Sequence, residues 1–142
     1  MGQLPRWSEV LPNLHVWPID FRLPPVGSTT GGIIKHAHWR LKVLRSRHPH
    51  VFKVGITCNP VQRWASATYA YRRDSEGWHG MQVIYATASA IAAAFLEAHM
   101  IYMYKDTQGC RNCRTGGDSS CVSADGPHFT YIVYKSLAKP CD

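Results

Sequence analysis

The sequence predicts a small α+β domain in which an antiparallel β-sheet of three or four strands is flanked by helices. Two stretches, residues 51–57 and 81–86, are rich in the β-branched and aromatic side chains that favour strands. An alanine-rich stretch over residues 87–104 has the composition of a helix. The chain of 142 residues is long enough for one domain with one hydrophobic core.

The N-terminal region, residues 1–31, predicts an extended arm. It holds five of the nine prolines and ends in a segment rich in Gly, Ser and Thr, and both features interrupt regular backbone hydrogen bonding. Large apolar side chains are nevertheless frequent in it, from Trp7 to Leu23. We therefore expect the arm to pack across one face of the core, and residues 32–142 to form a single domain.

Residues 33–46 permit two interpretations. Apolar residues recur at helical spacing, namely Ile34, Ala37, Leu41 and Leu44. Residues 39–44 also alternate between apolar and basic side chains, which is the spacing of a strand. A strand here would form an antiparallel hairpin with residues 51–57 through a basic loop.

The next helix is marked by its first residues. Asn59 can cap a helix and Pro60 suits the first turn, so we expect a helix from Pro60 to about Tyr71. A turn region then leads into the strand at residues 81–86, which is the second of the two stretches that favour a sheet.

The alanine-rich helix follows this strand. Thr87 or Ser89 can cap it, and it should end near Tyr104. We expect its buried side to carry the larger apolar residues, namely Ile91, Phe95, Met100 and Ile101. A loop rich in Gly, Ser, Asp and Cys covers residues 109–127, and residues 129–134 predict a last strand.

The charge balance indicates the class of partner. The formal net charge is +7 and the pI is about 9.4. Such a balance favours a polyanion, because Lys and Arg that neutralise phosphates release condensed counterions. No run of about 18 apolar residues predicts a membrane span, and the first residues lack the apolar run of a signal peptide. We therefore expect an intracellular protein, in the nucleus or the cytoplasm.

The most informative motif lies in residues 51–63. It reads Val-Phe-Lys-Val-Gly-Ile-Thr, followed by a short turn and a helix that bears Arg63, eight residues after Gly55. This pattern resembles the second half of the signature of the GIY-YIG nucleases, in the branch that carries Lys-Ile-Gly-Ile-Thr. Lys53 stands in the place of the motif tyrosine.

The resemblance covers about half the chain and continues downstream. Glu97 lies on the helix that follows a strand, and Asn112 comes shortly after that helix, in the order that the family shows. No Gly-Ile-Tyr sequence precedes the motif. Because the tyrosine of that missing segment helps to activate water in the family, Tyr69 and Tyr71 are the candidates to replace it.

The resemblance implies a divalent-metal-dependent endonuclease that hydrolyses phosphodiester bonds in nucleic acid, with DNA as the expected substrate. This chemistry requires an activated water and neutralised charge on the phosphoryl oxygens. Glu97 would hold Mg²⁺ or Mn²⁺, Arg63 would grip a phosphate oxygen, and Lys53 and Asn112 would complete the site. A nucleic-acid-binding module that kept the fold but lost catalysis is the alternative.

Two basic clusters would widen the contact with nucleic acid. Arg72 and Arg73 follow Tyr71, and Arg40 and Lys42 follow Trp39. Cations beside aromatic rings suit backbone contact combined with base stacking. For the first cluster, a basic helix end that complements the helix dipole is an equally simple interpretation.

The cysteines offer a separate site. The chain has five cysteines, an odd number in a chain without a signal peptide, which argues against a disulfide framework. Cys110, Cys113, Cys121 and His128 have the ligand types of a tetrahedral structural Zn²⁺. A loop of free thiols is the alternative, and a zinc-stabilised interaction protein would be a third class of function.

Overall fold

The computed structural model describes residues 18–47, 50–65, 71–74, 76–112 and 126–137. Four strands, three α-helices and a short 3₁₀ turn follow one another in these parts of the chain. In order they are β1 (Ile19–Phe21), α1 (Thr30–Arg47), β2 (His50–Thr57), α2 (Pro60–Ala65), the 3₁₀ turn (Tyr71–Arg73), β3 (Gly80–Thr87), α3 (Ala90–Tyr104) and β4 (His128–Ser136).

The four strands form one sheet in the order β1-β3-β4-β2. β4 lies in the middle and is antiparallel to both β2 and β3, while the short β1 runs parallel to β3. The register of β3 against β4 shifts between Val83 and Tyr85, where a bulge interrupts the ladder. The predicted α+β class is confirmed, with four strands and with helices packed on the sheet.

The ambiguous segment at residues 33–46 is helical. α1 covers it completely, so the hairpin with β2 is wrong. The antiparallel partner of β2 is β4, the last strand of the described chain, in a ladder that runs from His50 opposite Ser136 to Thr57 opposite Phe129. Pairing at this sequence separation is invisible to local alternation, which explains why the upstream segment was a plausible partner.

The sheet has two differently covered faces because side chains alternate along each strand. One face, which we call the α2 face, packs against α2 and the 3₁₀ turn, and its cluster includes Val51, Trp64, Tyr71, Tyr131 and Val133. The other, the α3 face, packs against α1 and α3, and its cluster includes Phe52, Val54, Leu41, Leu96 and Ile132. This division determines which candidate residues can meet.

Helix α3 begins as predicted but turns a different side toward the sheet. Ser89 is its N-cap, and its Oγ accepts a hydrogen bond of 3.1 Å from the Ala92 N–H. Met100 and Ile101 are buried, whereas Ile91 and Phe95 are 83% and 56% exposed, so their predicted burial is wrong. The sheet-facing stripe runs through smaller residues near the start of the helix, which leaves these two side chains on the outer surface.

The end of the predicted arm contributes β1, while residues 1–17, with Trp7, lie outside the described residues. α2 starts at Pro60 as expected and is described only to Ala65, because residues 66–70 lie outside the described part. No helix in the described ranges is both long and apolar enough to cross a lipid bilayer.

Candidate functional site

The glycine of the motif makes room for a tyrosine on the central strand. Gly55 of β2 lies opposite Tyr131 of β4. A Cβ atom built on Gly55 would overlap the hydroxyl and the adjoining ring carbon of Tyr131. Only glycine therefore lets this phenol lie across β2, which is the close approach that glycine in a strand commonly marks.

Tyr131 is part of a compact polar cluster on the α2 face. Its hydroxyl and that of Tyr71 are 2.6 Å apart, and the two rings meet edge to face. The guanidinium of Arg63 lies over the Tyr71 ring, with Cζ 4.3 Å from the ring centroid, and its positive charge is close enough to Tyr131 to lower the pKa of that phenol. We call this group the Arg63–Tyr71–Tyr131 cluster.

Burial governs the acidity of this cluster. It raises the pKa of Tyr131 well above its usual value, and the neighbouring Tyr71 acts in the same direction, whereas Arg63 opposes the shift. The hydroxyl of Tyr131 consequently stays protonated at neutral pH. It can orient a water or donate a hydrogen bond to an oxyanion, but it is not an ionised base.

The start of α2 positions Arg63. The Oδ1 of Asn59 accepts a hydrogen bond of 3.1 Å from the Gln62 N–H, and the Arg63 N–H donates to the Asn59 carbonyl over 3.0 Å. Pro60 is buried in the first turn. The motif arginine is thus held in the first turn of a capped helix, directly after the strand that carries Gly55.

Lys53 shares the α2 face with Gly55, because the two residues are two positions apart on the same strand. It is half-buried and stands opposite Val133 in the ladder. Lys53 therefore lies on the face of the sheet against which α2, the helix of Arg63, packs.

Glu97 lies on the other side of the sheet. It is only 2% exposed on α3, whose position is fixed by a hydrogen bond of 3.0 Å from the Thr130 hydroxyl to the Ala93 carbonyl. α3 packs on the α3 face, so the sheet stands between this helix and the Arg63–Tyr71–Tyr131 cluster. The structure does not bring Glu97 together with Arg63.

The donor chemistry of Glu97 fits a magnesium or manganese ion. A carboxylate supplies the hard oxygen ligand that these ions prefer, and water and substrate oxygens commonly fill the remaining positions. Within the described ranges, no three or more His, Cys, Asp or Glu side chains gather into a metal-ligating group. Glu97 is the metal ligand that the resemblance implies, and in this structure its side chain is buried.

Asn112 extends the edge of the sheet. Its Oδ1 accepts from the Val54 N–H and its Nδ2 donates to the Val54 carbonyl, both over 2.9 Å. Backbone bonds join Phe52 to Gly109 and Arg111 just before it. The Asn112 amide thus acts like a peptide group of a neighbouring strand, and it steadies β2 one residue before Gly55.

The proposed zinc ligands do not assemble as a set. Cys110 is bridged to Phe52, while His128 precedes Phe129, the partner of Thr57. These two ends of β2 are separated by roughly 16 Å at about 3.3 Å per residue, which is too far for two ligands of one ion. Cys113 and Cys121 lie outside the described residues.

The Cys110 thiol is half-buried, and its surroundings do not favour the thiolate form that binds a metal. Its Sγ contacts the Asn112 Oδ1 at 3.7 Å. Burial raises the pKa of the Cys110 thiol, while the Asn112 backbone N–H and nearby arginines oppose the shift. The thiol form therefore dominates at neutral pH, and a metal would first have to displace its proton.

The basic candidates differ in their exposure. Arg72 is exposed, and Arg40 is half-buried, with its Nε 3.3 Å from the Gln82 Oε1 and its guanidinium 5.0 Å from the Trp39 ring centroid. Lys42 is exposed on α1. Two other predicted site residues lie outside the description: Tyr69, and the side chain of Arg73.

Tyr131 is the functional candidate that the sequence did not supply. The sequence predicts a strand at residues 129–134, but only the pairing of this strand with β2 shows that Tyr131 lies beside Gly55 of the motif. Comparisons with protein-family models, with curated proteins and with solved structures found no match for this chain.

Proposed function

We propose that this protein is a divalent-metal-dependent endonuclease of the GIY-YIG type, acting on nucleic acid and by preference on DNA. The observation that carries the proposal is the cluster beside Gly55, in which Arg63 lies over the Tyr71 ring and the Tyr71 hydroxyl meets that of Tyr131. The family signature includes an upstream tyrosine that helps to activate water, and no Gly-Ile-Tyr sequence precedes the motif here. Tyr131 on β4 supports the proposal because it lies opposite Gly55 and brings a tyrosine to the motif.

The chemistry follows from the cluster. Arg63 presents planar N–H donors that can neutralise a non-bridging phosphate oxygen. The protonated Tyr131 hydroxyl can hold the attacking water or the phosphate in register, and Tyr71 fixes the direction of that hydroxyl. Lys53 adds a positive charge to the same face. A divalent metal ion would supply Lewis-acid stabilisation of the charge on the phosphoryl group. Glu97 is the ligand that the resemblance implies, and the helix that carries it packs on the other face of the sheet from this cluster.

A second candidate is a nucleic-acid-binding module without hydrolytic activity. The burial of Glu97 at 2% exposure, on the helix across the sheet from Arg63, favours it. Tyr131 is also fully buried, so substrate would reach its hydroxyl only after the cluster opens. Under this alternative the positive charge of the chain binds phosphates, and affinity falls steeply as salt rises.

A cleavage assay separates the two candidates. Plasmid and branched DNA are incubated with the protein in Mg²⁺ or Mn²⁺, and the products are measured for wild type, Arg63→Lys and Glu97→Gln. We expect both variants to lose cleavage by about 100-fold or more, in line with removal of an electrostatic contact to the transition state. Arg22→Lys and Glu76→Gln, changed at ion-paired surface positions, serve as matched controls.

The outcomes are distinct. If wild type and Glu97→Gln show the same background cleavage while both proteins bind DNA with a steep salt dependence, the hydrolase is rejected and the binding module stands. If neither cleavage nor salt-dependent binding is found, both are rejected. Circular dichroism and thermal melting of each variant establish that the buried substitutions preserve the fold.

A further inference from the structure

A cavity lies on the α3 face of the sheet, which is the opposite side of the molecule from the Arg63–Tyr71–Tyr131 cluster. It has a volume of about 770 Å³, within the range of roughly 300–1,000 Å³ typical of ligand pockets. α1 forms one wall, and the end of α3 with the turn after it forms another. The residues that matter for its chemistry are Trp39, Lys42, Arg45, His50 and Tyr104.

The cavity is positively charged. Across its 18 residues α1 contains no Asp or Glu, and Lys42 and Arg45 both line the opening. The Arg45 guanidinium lies over the Phe52 ring, with Cζ 5.6 Å from the centroid, so the charged end of this side chain is positioned by packing. None of the described lining residues is acidic. A ligand with negative charge is therefore favoured.

Aromatic rings are also presented at fixed orientations. Trp39 is 54% exposed although it is a large apolar side chain, and the guanidinium of Arg40 lies against its ring. The hydroxyl of Tyr104 is 2.6 Å from the His38 Nδ1, and the Tyr104 ring meets Phe52 edge to face. Rings held in this way offer stacking surfaces at a small cost in conformational entropy.

We propose that this cavity binds an unpaired nucleotide of the nucleic acid substrate, with its base against Trp39 or Tyr104 and its phosphate at Lys42 and Arg45. Charge alone would accept any polyanion, but the combination with exposed aromatic rings selects a base that is not stacked within a duplex. The inference rests on the proposed function and names its substrate class as single-stranded or partly unpaired nucleic acid.

The cavity and the candidate site share strand β2 but lie on different faces of the sheet. His50 lines the cavity and lies three residues before Lys53 on β2. Three residues of extended chain span roughly 10 Å. A single strand that reaches both would therefore have to pass around the β2 edge of the sheet.

Binding is tested without any requirement for cleavage. A 5′-phosphorylated dinucleotide is titrated into the full chain in EDTA by isothermal calorimetry, and a short single strand is compared with a duplex of equal length. We expect Trp39→Ala to weaken dinucleotide binding by about fivefold or more, the lower end of what stacking of one base contributes. Lys42→Gln should also weaken dinucleotide binding at low salt, and it should reduce the dependence of that binding on salt concentration.

Lys35→Gln is the matched control, since Lys35 is an exposed lysine two turns earlier on the same helix and outside the cavity. It should leave dinucleotide affinity within about twofold, because exposed charges at this distance are largely screened. Trp39→Phe, which keeps an aromatic ring, should retain most of the affinity that Trp39→Ala loses.

Three results would overturn the inference. The first is equal affinity of wild type and Trp39→Ala for the dinucleotide, the second is a preference for duplex, and the third is equally tight binding of an acidic peptide that the same variants weaken. If the wild-type protein does not cleave DNA but the cavity variants weaken dinucleotide binding, the nuclease proposal is rejected and the binding cavity stands. If the wild-type protein cleaves DNA but the cavity variants bind the dinucleotide as tightly as wild type, the binding cavity alone is rejected.

Discussion

The hydroxyl of Tyr131 lies across the backbone of Gly55, at a position that a Cβ atom would occupy. The two residues are opposite one another in the β2–β4 ladder, although more than half of the chain's length separates them in sequence. This contact adds side-chain packing to the backbone ladder between the motif strand and β4. It also means that the motif glycine has a packing role in this protein, independent of any catalytic one.

Replacement of Gly55 by alanine should destabilise the protein. The added methyl group would force the Tyr131 ring away from β2, and overpacking of a well-filled core costs about 1–3 kcal/mol. Urea unfolding measured by circular dichroism gives the free energy of unfolding. Gly31→Ala is the control, because a Cβ atom on Gly31 in α1 would meet only the Thr29 Oγ1, at 4.0 Å, and alanine there should stabilise by up to about 1 kcal/mol. Equal stability of Gly55→Ala and wild type would contradict the close contact.

The two buried tyrosine hydroxyls should be energetically coupled. Tyr71→Phe or Tyr131→Phe alone leaves the other hydroxyl without this partner in a buried site, which costs about 1–3 kcal/mol. The double variant removes both groups, so its loss should be smaller than the sum of the two single losses. A double-mutant cycle on the free energy of unfolding measures the difference. Strict additivity would show that the hydroxyls do not interact.

The elements that the sequence predicted correctly are those with local signals. Asn59 and Ser89 begin helices because their side chains accept hydrogen bonds from the first turn, and both caps are formed. β2 and β3 follow from stretches of β-favouring residues. Each of these depends on neighbours within a few residues, which the sequence displays directly.

The features that could not be predicted depend on distant parts of the chain. Whether residues 39–44 were strand or helix was open until β4 proved to be the partner of β2. The exposure of Ile91 and Phe95 depends on which side of α3 meets the sheet, and an alanine-rich helix gives little periodic signal for that side. Tyr131 enters the candidate site through the same long-range pairing, and Glu97 leaves it because α3 lies on the opposite face.

Asn112 should control the stability of the β2 edge. Asn112→Ala removes both hydrogen bonds to the Val54 backbone, and the loss of such buried bonds costs about 1–3 kcal/mol. Asn112→Asp should cost more, because a carboxylate cannot donate to the Val54 carbonyl and would bring a charge into a buried site. The urea midpoint measures both effects.

Hydrogen exchange locates that change within β2. The Val54 amide should exchange faster in Asn112→Ala, since its partner is the Asn112 Oδ1. Successive residues of an edge strand direct their backbone groups to opposite sides, so the amide of Gly55 faces β4 and serves as the internal control. Unchanged protection at Val54 would show that Asn112 does not hold the edge.

The histidine pair between α1 and α3 should make stability depend on pH. His38 is hydrogen-bonded through Nδ1 to the Tyr104 hydroxyl, and its Nε2 is 2.9 Å from the Nε2 of His99. Burial and then the charge of His99 lower the pKa of His38 from its usual value near 6.5. The unfolded chain therefore takes up this proton at a higher pH than the folded chain does.

It follows that the contribution of His38 to stability is complete at pH values above about 6.5 and is lost progressively as the pH falls from that value to the lower pKa of the folded chain. The expected result is a lower urea midpoint for wild type at pH 5.5 than at pH 7.5, with a smaller difference in His38→Gln. His36→Gln, changed at a half-buried histidine on the same helix, is the control and should keep the wild-type difference. An equal difference in wild type and His38→Gln would rule out His38 as the source, because the neutral glutamine cannot take up the proton.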